Sequence, residues 1–293
     1  MCQHTPFSHT NSAIIDFFNS LEGRPLVRAS IIVIPILALW FVENGFPLVT
    51  MRYRNSKSRH ALVNFGFMFM HLVVHGSLAF LLVMVSDWCQ RHQFGLVHWL
   101  GIQSVGGIIM AGLLSMDFFG GWLVHWVEHQ VPLFWRIHIV HHADNNIDVS
   151  SGLRHHPFEA LNRWIFFIGG VFFMGLPVYA IMIGQTVMSI LTTVAHANIR
   201  LPEVLDKAIS WVLVSPNMHK VHHHWKQPYT DSNYGIVFSL WDRALGTYRY
   251  LPPAEIHYGL DRYYDNDRDE EIGALLKSPF EDATEVHQPV SLK

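Results

Sequence analysis

Long stretches without Asp, Glu, Lys or Arg divide this chain into membrane-sized apolar segments. Ala61–Ser86 has no such residue in 26 positions, and Gln93–Met116 has none in 24. A hydrocarbon core about 30 Å thick is crossed by about 20 helical residues, so both stretches are predicted to be transmembrane helices. Ala29–Val42 is shorter, is expected to be broken by Pro35 and is closed by Glu43-Asn44-Gly45; extended through Val49 it predicts a tilted first span. The longest run, Trp164–Ile199, is 36 residues with Gly175-Leu176-Pro177 near its middle. Divided at that turn signal, it gives two helices of about 16 residues, or about 24 Å each. That is a hairpin whose two ends return to one side. The alternative, core helices of a soluble protein, fits poorly because the runs exceed ordinary core helices in length.

The short basic loop of Arg52, Arg54, Lys57 and Arg59 is expected to stay cytoplasmic. The third span then returns to the cytoplasm near Asp117 to His125, and the hairpin begins and ends there. The predicted fold class is therefore an all-α integral membrane protein: transmembrane helices plus a hairpin, under a cytoplasmic helical cap. Residues 1–25 read as a polar segment without a signal-peptide pattern, so no cleavage is expected. Residues 26–124 carry three transmembrane helices, and residues 117–250 form the region expected to carry the chemistry, including the hairpin 160–196. Residues 251–293 read as a polar, solvated extension. Glu203 to Val214 sets Val204, Leu205, Ala208, Ile209, Trp211 and Val212 opposite Asp206 and Lys207, as in a helix lying in the membrane interface.

Composition supports the membrane assignment. Of 293 residues 50% are hydrophobic and 15% charged, against about 25% charged in soluble domains. A net charge of -3 without a basic block argues against a nucleic-acid partner. Cys2 and Cys89 supply neither a disulfide framework nor a thiolate metal site. Histidine changes the picture: its 21 residues outnumber the 20 Lys and Arg together, and twelve fall between His125 and His224.

Their spacing is that of metal ligands. His125 and His129 stand at i,i+4, so both imidazoles leave one helix face. His138, His141 and His142 follow as HxxHH, and the same spacing recurs at His219, His222 and His223. Eight imidazoles exceed the four to six ligands of one ion, which implies two neighbouring metals. His156, before the hairpin, and His196, after it, are brought to the same side and complete a set of ten. Imidazole suits iron, copper, zinc and nickel alike, so spacing leaves the element open. His155 and His224 adjoin these positions without a fixed role. His98 reads as a packing residue. His71 and His75 form an HxxxH pair inside the second span, where a haem or a proton path is conceivable, although no matching pair sits in another span. Asp117, Glu128, Glu159, Asn198, Asp231 and Asn233 are candidates to orient imidazoles through their second N–H, with helix capping or salt bridges as the plain alternative.

The order His125xxxHis129, His138xxHis141His142, Arg154xHis156ProxGlu159, His196xAsn198, Pro216xxHis219xxHis222His223, Asp231xAsn233Tyr234Gly235 and Trp241Asp242Arg243xxGly246Thr247Tyr248 resembles the fatty acid hydroxylase superfamily, which includes the sterol desaturases. The resemblance is strong over about Asp117 to Tyr248. It implies a membrane-embedded non-haem di-iron oxygenase that uses molecular oxygen, with electrons from an external reductase, electron-carrier protein or ferredoxin, to hydroxylate, desaturate or cleave a lipid. It also implies that His125, His129, His138, His141, His142, His156, His196, His219, His222 and His223 are the iron ligands and the catalytic set. Trp126 departs from the Arg of many relatives, and the extra His155 and His224 leave the choice of ligand open at those two places.

Chemistry agrees with that expectation. A lipid C–H bond offers no acidic proton and no leaving group, so its attack calls for oxygen activated at a metal. Sites at the cytoplasmic ends of apolar helices let an insoluble substrate enter from the bilayer while a soluble reductant arrives from water. The chain contains no GxGxxG fingerprint and no fused carrier. Phe166, Phe167, Phe172, Phe173 and Tyr179 are expected mainly to pack against neighbouring helices. A di-zinc hydrolase would normally include bridging carboxylates, and a metal transporter would spread histidines along its spans. The bacterial cytoplasmic membrane is favoured over the endoplasmic reticulum as the location.

Overall fold

The computed structural model describes residues 13–281 apart from 14, 19, 54 and 261–269. Most of the 1–25 segment, Arg54 of the basic loop, and residues 261–269 and 282–293 of the extension lie outside the described residues. The described chain is helical, and no strands pair into a sheet.

Helix α1 (Pro25–Gly45) continues through Pro35, rather than breaking there. Helix α2 (Lys57–His92) begins at Ser56, whose side chain accepts the Arg59 N–H. It ends at Gln93, which adopts left-handed backbone and donates its own N–H to the last carbonyls. Its 36 residues amount to about 54 Å, far more than one bilayer. Only the middle and far parts face lipid. The near end buries His60, Ala61, Val63, Asn64 and Phe67 inside the histidine-rich cap.

The third span lies elsewhere than its charge-free run suggests. Residues 93–104 form the turn, with one helical turn at Leu96–Trp99. Helix α3 (Val105–Asp117) starts at Ser104, which accepts the Gly107 N–H, and passes through a π-helical stretch at Phe118–Leu123 into α4 (Val124–Gln130). Within this uncharged turn Val97 is buried in the core, whereas Trp99 and Leu100 are exposed. Gly95 meets Gly175 so closely there that a Cβ on Gly95 would stand 2.4 Å from the Gly175 nitrogen.

Helix α5 (Pro132–His142) follows α4. The hairpin is α6 (Pro157–Met174) and α7 (Val178–His196), joined at Gly175–Pro177 as the sequence predicts. Ser86 donates to the Leu176 carbonyl at 2.8 Å and Gln90 to that of Gly175 at 3.0 Å, so the hairpin tip reaches the far end of α2. Leu82, Val97, Met116, Trp164, Val171, Leu176 and Ile181 form the core between these helices. Three helical stretches, Lys57–Trp99, Val105–Gln130 and Val178–His196, are long and apolar enough to cross a membrane, which makes the chain an all-α integral membrane protein.

The cap is closed by α8 (Glu203–Ile209), α9 (Pro216–His222), α10 (Leu240–Ala244) and α11 (Ile272–Lys277). In α8 the buried carboxylate of Asp206 accepts the Asn217 N–H, while Val204, Leu205 and Trp211 are exposed. The extension is not solvated throughout. Leu251, Ile256 and Tyr258 pack on Ile147 and Val221, and Leu275, 3% exposed, joins Val63, Phe67, Trp135 and Ile139. Burying such aliphatic side chains is worth about 1.5–3 kcal/mol each, which fixes residues 270–281 to the cap despite their charged neighbours.

Candidate metal centre

Helix spacing deals the histidines into two buried groups. His125 and His129 of α4, His138 and His142 of α5 and His222 of α9 form cluster one. His141, His196, His219 and His223 form cluster two. Within each group, ligand-capable atoms lie within 4.8 Å of one another. Each HxxHH box serves both groups. Its i,i+4 pair enters one cluster and its i+3 residue the other, because residues three and four apart flank the same helix face from two sides.

Hydrogen bonds set the tautomers. His125 Nδ1 donates to the Tyr234 carbonyl (2.9 Å), His222 to that of Ser232 (2.7 Å), His141 to that of Arg154 (3.2 Å) and His196 to that of Thr192 (2.8 Å). A carbonyl can only accept, so the proton sits on Nδ1 and Nε2 presents a lone pair. His129 meets Asp231 at 3.0 Å and His138 meets Glu159 at 3.0 Å through the same atom. The Nε2 atoms then converge: His141 and His196 at 3.2 Å, His196 and His219 at 2.9 Å, His219 and His223 at 3.2 Å, and His125 and His138 at 3.1 Å. For His141 and His196 both nitrogens are bare, so no hydrogen bond joins them. Two facing lone pairs at that distance are repulsive unless a cation lies between them.

The spacing fits a metal. With metal–nitrogen bonds of about 2.1 Å, ligands at right angles stand about 3.0 Å apart and ligands at tetrahedral angles about 3.4 Å. The observed 2.9–3.2 Å runs from the right-angled value to midway toward the tetrahedral one, so the imidazoles are close enough together to share an ion. Burial keeps the imidazoles neutral. It pulls His138 down to about 3, and burial followed by neighbouring imidazoles holds His141, His142, His219, His222 and His223 well below the ordinary histidine range. Neutral imidazole is the ligand form.

Nine of the ten predicted ligands therefore come together, and His156 does not. Its Nδ1 accepts the Phe158 N–H at 3.2 Å, capping α6, and its Nε2 donates to the Leu276 carbonyl at 3.3 Å. Both nitrogens are occupied by backbone, and the expected ligand role is withdrawn. His155 takes the position beside the clusters instead: its ring stacks on His141 at 4.6 Å, and its Nδ1 meets Glu159 at 2.8 Å. His224 lies apart and accepts the His257 N–H, and His98 sits in the far turn.

Of the carboxylates and amides expected to orient ligands, Asp231 and Glu159 do so. Glu128 lies 3.7 Å from His138 and pairs with Arg163 (2.7 Å) and Asn162 (3.1 Å). The others hold the scaffold. Asp117 accepts from Val237, Phe238 and the Trp241 indole, and Asp242 accepts from Tyr234, Gly235, Trp122 and Thr247. Asn198 binds Leu48 and Val49, and Asn233 holds Met218 and Arg249.

Sequence reasoning missed a further set of buried polar groups. Glu43 accepts the Val149 and Asn198 N–H groups and pairs with Lys57, tying α1 to both flanks of the site. His60 bridges Asp144 and Asp148. Burial opposes the Asp144 carboxylate, but Arg154 and His60 outweigh it and hold it well below its ordinary range. Lys220, 0% exposed, donates to the carbonyls of Ala195, His196 and Ala197 at the end of α7, and burial pushes it down to about 7. Its place inside the box His219–His223 was the available signal.

Comparison with known proteins bears on the same region. Residues 109–247 match the family model for fatty acid hydroxylase. Human alkylglycerol monooxygenase is 28% identical over 152 residues, covering 51% of this chain and 32% of that protein. Ornithine lipid hydroxylase OlsE of Rhizobium tropici is 23% identical over 153 residues (52% and 45%), and mouse lathosterol oxidase 24% identical over 153 residues (48% and 46%). The aligned part spans less than half the length of each of these relatives. No solved structure matches.

Proposed function

The chain carries a fatty acid hydroxylase domain over residues 109–247, and from that premise we propose that it is a membrane-bound di-iron oxygenase acting on a lipid. Its reaction is hydroxylation or desaturation of a sterol, fatty acyl or related lipid with molecular oxygen, and its electrons come from a separate carrier. The observation that carries this reading is the convergence of bare Nε2 atoms in two adjoining, wholly histidine-built clusters, typified by His141 and His196 at 3.2 Å. Cluster one would hold one iron through His125, His129, His138, His142 and His222, and cluster two the other through His141, His196, His219 and His223.

Bound there, two irons supply the oxidising power that an unactivated C–H bond requires. The chain does the rest. The Nδ1 protons held on the carbonyls of Tyr234, Ser232, Arg154 and Thr192 keep each ring turned inward. Trp135 packs 4.8 Å from the His129 ring and Tyr234 5.1 Å from it, so water is excluded from that side of cluster one. The absence of a carboxylate from both clusters favours this reading over a di-zinc hydrolase. The basic loop supports a cytoplasmic site, and a bacterial cytoplasmic membrane is the proposed location.

The test is metal content and an optical spectrum on protein purified anaerobically in mild detergent, followed by lipid-dependent oxygen uptake. About two irons per chain without a haem band, and uptake coupled to lipid oxidation, are expected. Two zincs after iron-replete growth would sink the reading.

A further inference from the structure

Two histidines of α2 belong to neither cluster. His71 and His75 stack 4.1 Å apart, and the Trp164 ring of α6 packs 5.3 Å from His75. His71 Nδ1, His75 Nε2 and Trp164 Nε1 are buried without a hydrogen-bond partner among the described residues. Unmet polar atoms are costly inside a protein, and more so inside a membrane, where ionisable side chains mark functional sites.

Their depth is set by α2. The far end of the bundle carries Trp88, Phe94, Trp99 and Phe172 in one chain of ring contacts with centroids 4.5–5.7 Å apart, an aromatic belt of the kind found at membrane–water boundaries. From Trp88 back to His71 is about 26 Å along the helix, close to the roughly 30 Å of hydrocarbon. His71 thus stands where α2 leaves the apolar layer, the level at which a bilayer lipid carries its first oxygens, and His75 lies one turn deeper. Beside them Leu72 and Val73 of α2, and Leu161 and Ile165 of α6, are exposed on the apolar surface. Inward, His71 lies 5.9 Å from the His155 ring, which stacks on His141 of cluster two. The group therefore lies just beneath the apolar outer surface on one side and two rings from the metal ligands on the other.

The donor set defines what fits. A neutral imidazole offers one N–H and one lone pair, and indole offers one N–H; a hydroxyl complements both. An anionic headgroup would need a cation, and Arg163 is already engaged by Glu128 and Glu159. Resting on the oxygenase reading above, we propose that His71, His75 and Trp164 form a recognition niche for the hydroxyl group of the lipid substrate. The niche determines specificity and lies outside the metal centre.

The test compares binding of hexadecan-1-ol and 1-methoxyhexadecane to the full-length, iron-loaded protein in detergent, with iron measured on each sample. Roughly three- to tenfold tighter binding of the alcohol is expected, the worth of a net hydrogen bond. His75→Leu and His71→Leu should bring the ratio near one with iron content unchanged, whereas His75→Gln keeps part of it. Should a Leu variant fail to fold, seen as loss of iron, Trp164→Phe carries the test and should lower the ratio. Equal binding of the two lipids by the unsubstituted protein, or a ratio that survives these substitutions, overturns the niche. The readout needs no turnover. A preference in protein that oxidises no lipid would uphold the niche and sink the oxygenase, and lipid oxidation without any preference would do the reverse.

Discussion

Five imidazoles make cluster one and four make cluster two, and the surroundings differ as much as the count. Cluster one leans on carboxylates: Asp231 receives His129, and Glu159, with Glu128 behind it, receives His138. In cluster two the anchors are backbone carbonyls, Arg154 for His141 and Thr192 for His196, and the nearby titratable group is the buried Lys220 amine. Negative charge beside a ligand raises its basicity and its grip on a cation. One residue type, repeated at one spacing, thus yields two clusters with unlike surroundings, and on the proposed reading cluster one should grip its ion more tightly.

The largest test of that difference is removal of one ligand from each side. His141→Ala leaves three imidazoles and should reduce bound metal from about two per chain to about one, whereas His222→Ala leaves four and should retain nearly both. Activity should be lost in each. Equal metal contents in the two variants would break the comparison. Next comes the anchor: Asp231→Ala should weaken metal binding in cluster one by about 10–100-fold in a competitive chelator titration. Cluster two has no such carboxylate, and its matching weakness is steric. A Cβ at Gly152 would stand 2.9 Å from His196 Nδ1, so Gly152→Ala should lower the affinity of cluster two alone.

A smaller effect is thermodynamic. Lys220→Met leaves three carbonyls of the α7 end without their donor and should cost about 1–3 kcal/mol in unfolding of the metal-free protein. The clusters also make that protein acid-sensitive. His138 titrates near 3 in the fold, against about 6.5 when unfolded. The unfolded chain therefore binds more protons across that window, and stability must fall as pH drops from about 6.5 toward 3. A melting temperature that stays level between pH 8 and pH 5 would contradict it. The smallest expected effect is at His98, in the far turn, where His98→Ala should leave metal content and oxygen uptake nearly unchanged.

The sequence was most legible where spacing meets a fixed helical period. The boxes at His125, His138 and His219 announce their own clustering, and Gly175-Leu176-Pro177 announces the hairpin. It was least legible where polarity and local geometry diverge. Residues 93–104 are as free of charge as the helix that follows, and charge-counting merges that turn with α3. His156 carries a ligand's neighbourhood in its motif, yet with Pro157 in the first turn of a helix its nearer duty is to cap α6. Leu275 and its neighbours hide behind a charged stretch whose composition describes the linker and not the anchor. Glu43 and His60 show no pattern at all, since their side-chain partners lie from 14 to 155 residues away.

The continuity of α2 has one more consequence. A single unbroken rod passes from the aromatic belt through the bilayer into the cap, where His60 and Asn64 are locked against Asp144, Ser150 and Arg154. Belt and cap are thereby held at constant separation. A bilayer thicker or thinner than that separation must deform or tilt the protein, so hydrophobic mismatch acts directly on the height of the metal ligands above the lipid. Membrane thickness becomes a mechanical input to the position of the histidine clusters.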